Sequence, residues 1–163
     1  MGVEGTEMSG AIFSPDRRYR YALWRQWSLG PPARTISWVL LNPSTADARK
    51  LDQTLRRCRD YSKLWEFDRM HVVNLYAFRD TDPAIMRAQA DPVGSGNVAA
   101  ICRYVGKSDL CIAAWGGNVM QPGRLAWLHR MVDPIPIHVL GYTVTGEPRH
   151  PLYMRKDCGH RAA

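Results

Sequence analysis

The sequence has no run approaching the ~18 to 20 uninterrupted apolar residues that a membrane-spanning helix needs. Its first ten residues have neither the basic stretch nor the apolar core of a secretory leader. The expectation is a soluble, unprocessed chain with no membrane partner. Cysteine is scarce: Cys58, Cys102, Cys111 and Cys158 lie far apart, with no Cys-x-x-Cys pair among them. This argues against an iron-sulfur cluster and a structural zinc ribbon, both of which need closely spaced thiolates to wrap a metal. Reduced thiols in a cytoplasm fit the pattern, because a chain of this size can bury a core without disulfide staples. Three loops are also missing: Gly-x-x-x-x-Gly-Lys, Gly-x-Gly-x-x-Gly opening a helix after a strand, and Gly-x-Ser-x-Gly. No cofactor and no metal are therefore expected, and Ser44 lacks the elbow of a hydrolase nucleophile.

Lysine is scarce too, with 4 Lys against 18 Arg; the 22 basic and 15 acidic residues leave a net charge of +7. Excess positive charge favours anionic partners, and the planar guanidinium suits phosphates and base edges better than an ammonium point charge does. A GC-rich genome produces the same bias, so arginine content alone assigns no partner.

The ends are polar and small, and the chain is read as a flexible N-terminus over residues 1–12, one domain over 13–155 and a flexible tail over 156–163. Residues 18–27 alternate in the manner of a strand, with Arg18 and Arg20 opposite Tyr19 and Tyr21, and are expected to form a sheet edge. Residues 35–41 are almost wholly apolar, as in a strand buried on both faces, and stop at Asn42-Pro43. From Asp52 onward, Leu55, Cys58, Tyr61, Leu64 and Trp65 recur at helical spacing, with Arg56, Arg59 and Lys63 between them as a solvated face. Strands over 70–76, 109–115 and 135–140 then alternate with helices over 83–88, 97–105 and 124–131. Such alternation predicts an α/β fold in three layers, with a mainly parallel central sheet of at least four strands, because a parallel connection must cross over.

In such a sheet the ligand crevice lies beyond the carboxyl ends of the strands. Those ends carry Asn42-Pro-Ser-Thr-Ala-Asp47, Asn74 with Tyr76, Trp115-Gly-Gly-Asn118, and a final stretch containing Arg149, His150 and Tyr153. Amides that read an edge, aromatics that stack and an arginine that holds an anion suit a flat polar ring such as a nucleobase. Each residue also has a structural reading. Asn42-Pro43 is an ordinary strand-ending turn, Ser44, Thr45 or Asp47 can cap a helix, and Trp115 can be core.

Three segments in order resemble the uracil-DNA glycosylase superfamily: Trp38-Val-Leu-Leu-Asn-Pro43, Val72-Val-Asn-Leu75, and Ala114-Trp-Gly116 followed by His150-Pro151. The resemblance implies a glycosylase-like fold in which Asn42 places a water, Asn74 reads the base edge and His150 stabilises the departing base anion. The five motifs Asn-Pro-Ser-Thr-Ala-Asp, Asn-Leu-Tyr-Ala, Asp-Pro-Val-Gly, Ala-Trp-Gly and Arg-His-Pro-Leu-Tyr are similar to a bacterial and phage family of unassigned function.

The sequence departs from the glycosylases in three places. Asn42 cannot accept a proton as an aspartate can, so water attack rests on positioning or on another carboxylate such as Asp47 or Asp52. Ser44-Thr45 stands where the Asp-Pro branch carries an aromatic and a histidine, and Leu152-Tyr153 replaces a serine-containing loop that pinches the DNA backbone. The expectation is a protein that recognises a nucleobase, nucleotide or nucleic acid, DNA ahead of RNA, and acts on an N-glycosidic bond. The alternative is a non-catalytic module binding a modified base, nucleotide or nucleic acid. The catalytic candidates are Asn42, His150 and Asp47; the binding candidates are Ser44, Thr45, Asn74, Tyr76, Trp115, Arg149 and Tyr153.

Overall fold

A computed structural model describes residues 7–31, 33–46 and 49–163. The four expected strands form as β3 (Thr35–Leu40), β4 (Arg69–Asn74), β5 (Leu110–Ala113) and β6 (Ile137–Val139). They run parallel as a central block in the order β4-β3-β5-β6. Every residue of β3 is buried, because this strand has neighbours on both edges and helices on both faces.

The sheet as a whole is mixed rather than mainly parallel. Three further strands flank the block, all antiparallel: β1 (Met8–Phe13) on β2 (Arg20–Gln26), β2 on β4, and β7 (Arg161–Ala162) on β6. Thus β1 and β7 occupy segments expected to be flexible. The segment expected at the edge is interior, because β1 covers it. The β1–β2 ladder slips at its end, pairing Ile12 with Ala22 but Phe13 with Arg20, so Tyr21 is left as the extra residue. Arg20 is accordingly buried rather than solvated, and its Nη1 donates to the Ala46 carbonyl at 2.8 Å.

Helix α1 (Gln53–Leu64) starts where the Asp52 carboxylate accepts the Leu55 backbone N–H at 2.8 Å, supplying one of the acceptors a helix start lacks. Its Leu55, Cys58 and Tyr61 pack with Trp38, Met70 and Val72 on one face of the sheet. On the other face, α2 (Pro83–Arg87), α3 (Asn97–Val105) and α4 (Arg124–Val132) bury Met86, Ile101, Val105, Leu128 and Val132 against Val39, Val73 and Ala113. Fully burying one such aliphatic side chain is worth about 1.5–3 kcal/mol.

The connection leaving β3 passes over one face through α1, and that leaving β5 passes over the other through α4. Right-handed crossovers impose this divergence when the chain moves outward in both directions from the middle of a sheet. A crevice opens between the two loops at the carboxyl ends of β3 and β5, which fixes where a ligand can enter. Among the described residues, no helix is long and apolar enough to cross a membrane.

Candidate functional site

A cavity of about 540 Å³ occupies this crevice. Leu40, Leu41 and Asn42 contribute from the end of β3, Asp52 to Leu55 from the start of α1, and Trp115 to Asn118 from the end of β5. Asp80 and Thr81 close one side, and His150 and Tyr153 another. Of the sequence candidates, Asn42, Ser44, Thr45, Trp115, His150 and Tyr153 all line it. They converge because parallel strands deliver their following loops to one edge.

Asn42 donates through Nδ2 to the Asp80 carbonyl at 2.8 Å and to the Pro43 carbonyl at 3.3 Å. Both neighbours are carbonyl oxygens, so the amide nitrogen must face them and Oδ1 is left as the acceptor. The Asp80 N–H returns a bond to the Pro43 carbonyl at 3.0 Å, clasping the loops that follow β3 and β4. Ser44 Oγ donates to Asp52 Oδ2, so both Asp52 oxygens are engaged, one by the helix start and one by this hydroxyl. Asp80 uses Oδ1 to accept the Asp82 N–H at 2.8 Å, which leaves its Oδ2.

Trp115 is fixed by its Nε1 donating to Glu147 at 2.8 Å, and its indole is nearly inaccessible to solvent. Gly116 has φ +78, a backbone region that side chains resist. The Gly116 N–H donates to Pro148 at 2.8 Å, holding the Trp115 loop against the segment that carries His150.

His150 precedes a short 3-10 turn over Pro151–Tyr153 and accepts the Leu152 backbone N–H on Nδ1 at 3.2 Å. An acceptor at Nδ1 places the proton of the neutral ring on Nε2. Burial holds its pKa below the usual histidine value, and the Asp52 carboxylate opposes that shift. The ring is therefore a neutral N–H donor at neutral pH. The Tyr153 ring stands edge-on to it at 5.8 Å and is largely exposed.

Three candidates sit elsewhere. Asn74 is buried and absent from the cavity wall. It pairs across the ladder with Leu40, whose side chain lines the cavity, and neither of its side-chain polar atoms has a hydrogen-bond partner among the described residues. Tyr76 is likewise buried, its hydroxyl accepting the Met120 N–H at 3.0 Å, so it braces the loop after Asn118. Arg149 lines an adjoining cavity rather than this one. Asp47 lies outside the described residues.

Sequence reasoning named Asn118 at a strand end without making it a binding candidate, and it did not name Asp80. Asn118 follows Trp115-Gly-Gly and was within reach of the strand-end argument, whereas Asp80 follows no strand directly and arrives only through the Asn42 clasp. The described wall contains the carboxylates Asp52 and Asp80 and no lysine or arginine. Among the described residues, no three His, Cys, Asp or Glu side chains are grouped so as to hold a metal ion.

A family model for proteins of unknown function, DUF1643, matches residues 20–152. No curated protein and no solved structure matches the chain. The matched span runs from the first residue of β2 to the 3-10 turn that follows His150, and so takes in every described wall residue except Tyr153. The chain belongs to the family described as protein of unknown function (DUF1643).

Proposed function

We propose that the cavity takes up a nucleobase and that the protein acts on the N-glycosidic bond joining that base to its sugar. The observation that carries this reading is the composition of the described wall: a fixed indole, amide and hydroxyl side chains, a neutral imidazole donor and no lysine or arginine. A flat, uncharged ring with a polar edge matches such a wall, whereas a polyphosphate would meet two carboxylates and no counter-charge. The glycosylase resemblance supports the same reading and extends it to the fold and to DNA as the source of the base.

The roles follow from which atoms remain unengaged. Oδ1 of Asn42 accepts from a water and orients it toward the anomeric carbon. As the water oxygen bonds to that carbon, the carbon–nitrogen bond breaks and its electron pair leaves with the base. The Nε2–H of His150 faces the negative charge that builds on the base, and a preorganised donor of this kind is worth on the order of 3 kcal/mol of barrier. The water proton passes to Oδ2 of Asp80, because both oxygens of Asp52 are already engaged.

A second reading rests on the same atoms. Asn42 has no proton-accepting group and Asp52 is spent on structure, an arrangement that also suits a module that binds a base without cleaving it. Incubation with a panel of modified-base oligonucleotides, nucleosides and nucleotides, with chromatography for released base and tryptophan fluorescence for binding, separates the two. Base release establishes the glycosidase, binding without release establishes the module, and neither event with any member defeats both.

A further inference from the structure

A second cavity of about 470 Å³ adjoins the first and shares Gly116, Gly117, His150 and Tyr153 with it. Thr143, Val144 and Arg149 also line it, and among the described residues of its wall Arg149 is the one formally charged side chain. Two contiguous cavities make the site longer than a base alone requires, and they divide by charge. Among the described residues the first has carboxylates and no lysine or arginine, whereas the second presents mostly apolar surface and has Arg149 at its wall and no carboxylate.

Arg149 is held for recognition rather than for an ion pair. Its Nε donates to the Tyr142 carbonyl at 3.2 Å, and its backbone N–H donates to Gly141 at 2.9 Å. Its two terminal nitrogens meet no acceptor among the described residues. The acidic side chain nearest in sequence, Glu147, is engaged by Trp115 Nε1. A guanidinium tethered at Nε and open at both termini offers the parallel pair of donors that a phosphate accepts, with little side-chain freedom left to lose.

Gly116 and Gly117 border both cavities, together with His150 and Tyr153. A Cβ added at Gly117 would meet nothing within 4 Å, so the space beside it is open. The exposed Val144 and Tyr153 flank the second cavity with apolar surface suited to a sugar.

We infer that the second cavity is a phosphate subsite, and that the ligand is a nucleotide whose base fills the first cavity, whose sugar crosses the Gly116-Gly117 gap, and whose phosphate lies on Arg149. The inference rests on the base-binding reading of the first cavity. The phosphate is either the monoester of a free nucleotide or a diester within a strand.

Calorimetric titration of the full chain tests it with four probes: nucleosides, the matching 5′-monophosphates, inorganic phosphate, and a short single-stranded oligonucleotide containing the same base. For the base that binds, the monophosphate or the oligonucleotide should bind at least about tenfold more tightly than the nucleoside. Arg149→Met should remove that advantage while leaving nucleoside affinity unchanged. Gly117→Leu should weaken the phosphate-bearing ligand more than the nucleoside. Inorganic phosphate should compete weakly with the nucleotide and not with the nucleoside. An advantage confined to the oligonucleotide, and lost in Arg149→Met, supports the subsite with a diester as its occupant; one confined to the monophosphate supports it with a monoester. Nucleosides that bind as well as their phosphates, or an advantage that survives Arg149→Met, overturn the subsite and leave the base-binding reading standing. Absence of binding by every nucleoside and nucleotide overturns both.

Discussion

The side-chain amide of Asn42 is bonded to the main chain of Asp80, 2.8 Å from nitrogen to carbonyl oxygen, and this bond holds two loops from neighbouring strands against one cavity. It decides what a change at position 42 does. Asn42→Asp, the substitution that would match the Asp-Pro branch of the glycosylases, sets a carboxylate oxygen against the Asp80 and Pro43 carbonyls. Two acceptors then face each other without a proton, and about 1–3 kcal/mol of stability should be lost, with no gain in activity. Urea denaturation of the variant checks the first part and base release the second; higher turnover on an unaltered denaturation midpoint would contradict both.

His150 has two separable jobs. Its Nδ1 accepts from Leu152, and in the proposed function its Nε2–H faces the base, so His150→Asn should keep the first and lose the second. The asparagine variant should melt close to the parent yet lose roughly a hundredfold or more in turnover. His150→Ala should lose both, with a further ~1 kcal/mol of stability gone because the turn is uncapped. Equal activity in the parent and His150→Asn would assign the imidazole to structure alone.

Acid should destabilise the protein through its histidines. Burial lowers the pKa of His71, His150 and His160; Arg69 and Lys107 push His71 the same way, and His138 does so for His160. A histidine whose folded pKa lies below its unfolded value of 6.5 binds more protons when unfolded, so stability falls as pH drops through that value. Urea midpoints should therefore be flat above about pH 7.5 and decline between about pH 7 and pH 5, with a shallower decline in His150→Asn. A midpoint that rises on acidification would reverse the assignment.

Asn74 offers a cleaner contrast. Its amide is buried with neither atom bonded to a described residue. Replacing a buried unsatisfied amide with an apolar group of similar shape removes a desolvation penalty, so Asn74→Leu should gain about 1 kcal/mol and leave ligand affinity unchanged. A loss of affinity would mean that the amide reaches the ligand past Leu40.

The central strands were legible in the sequence because burial on both faces leaves an almost unbroken apolar run, as in β3. Helix α1 was legible too, since Asp52 and the spacing from Leu55 mark its start and its stripe. β1 and β7 were not, because outer strands with one neighbour are largely exposed and carry little hydrophobic pattern. At the site, strand ends predicted the Asn42, Trp115 and His150 loops, whose direction the topology imposes. The same logic misplaced Asn74: the strand end was identified, but its pairing beside Leu40 sets the side chain behind the wall. Arg149 and His150 are adjacent in sequence, yet only His150 borders both cavities, a distinction that depends on the Arg149 bond to Tyr142.

The antiparallel strands at the two margins bear on how the molecule behaves in a crowd. A parallel block ending at β4 or β6 would expose long rows of unpaired amide groups beside apolar side chains, a template on which other chains stack into fibrils. Here β2 and β1 cover one margin, and at the other a two-residue strand carries Arg161 over the Tyr142 ring. Shortening β7 would uncover β6, and the consequence would appear in solution as turbidity at high protein concentration before it appeared as any change in the cavity.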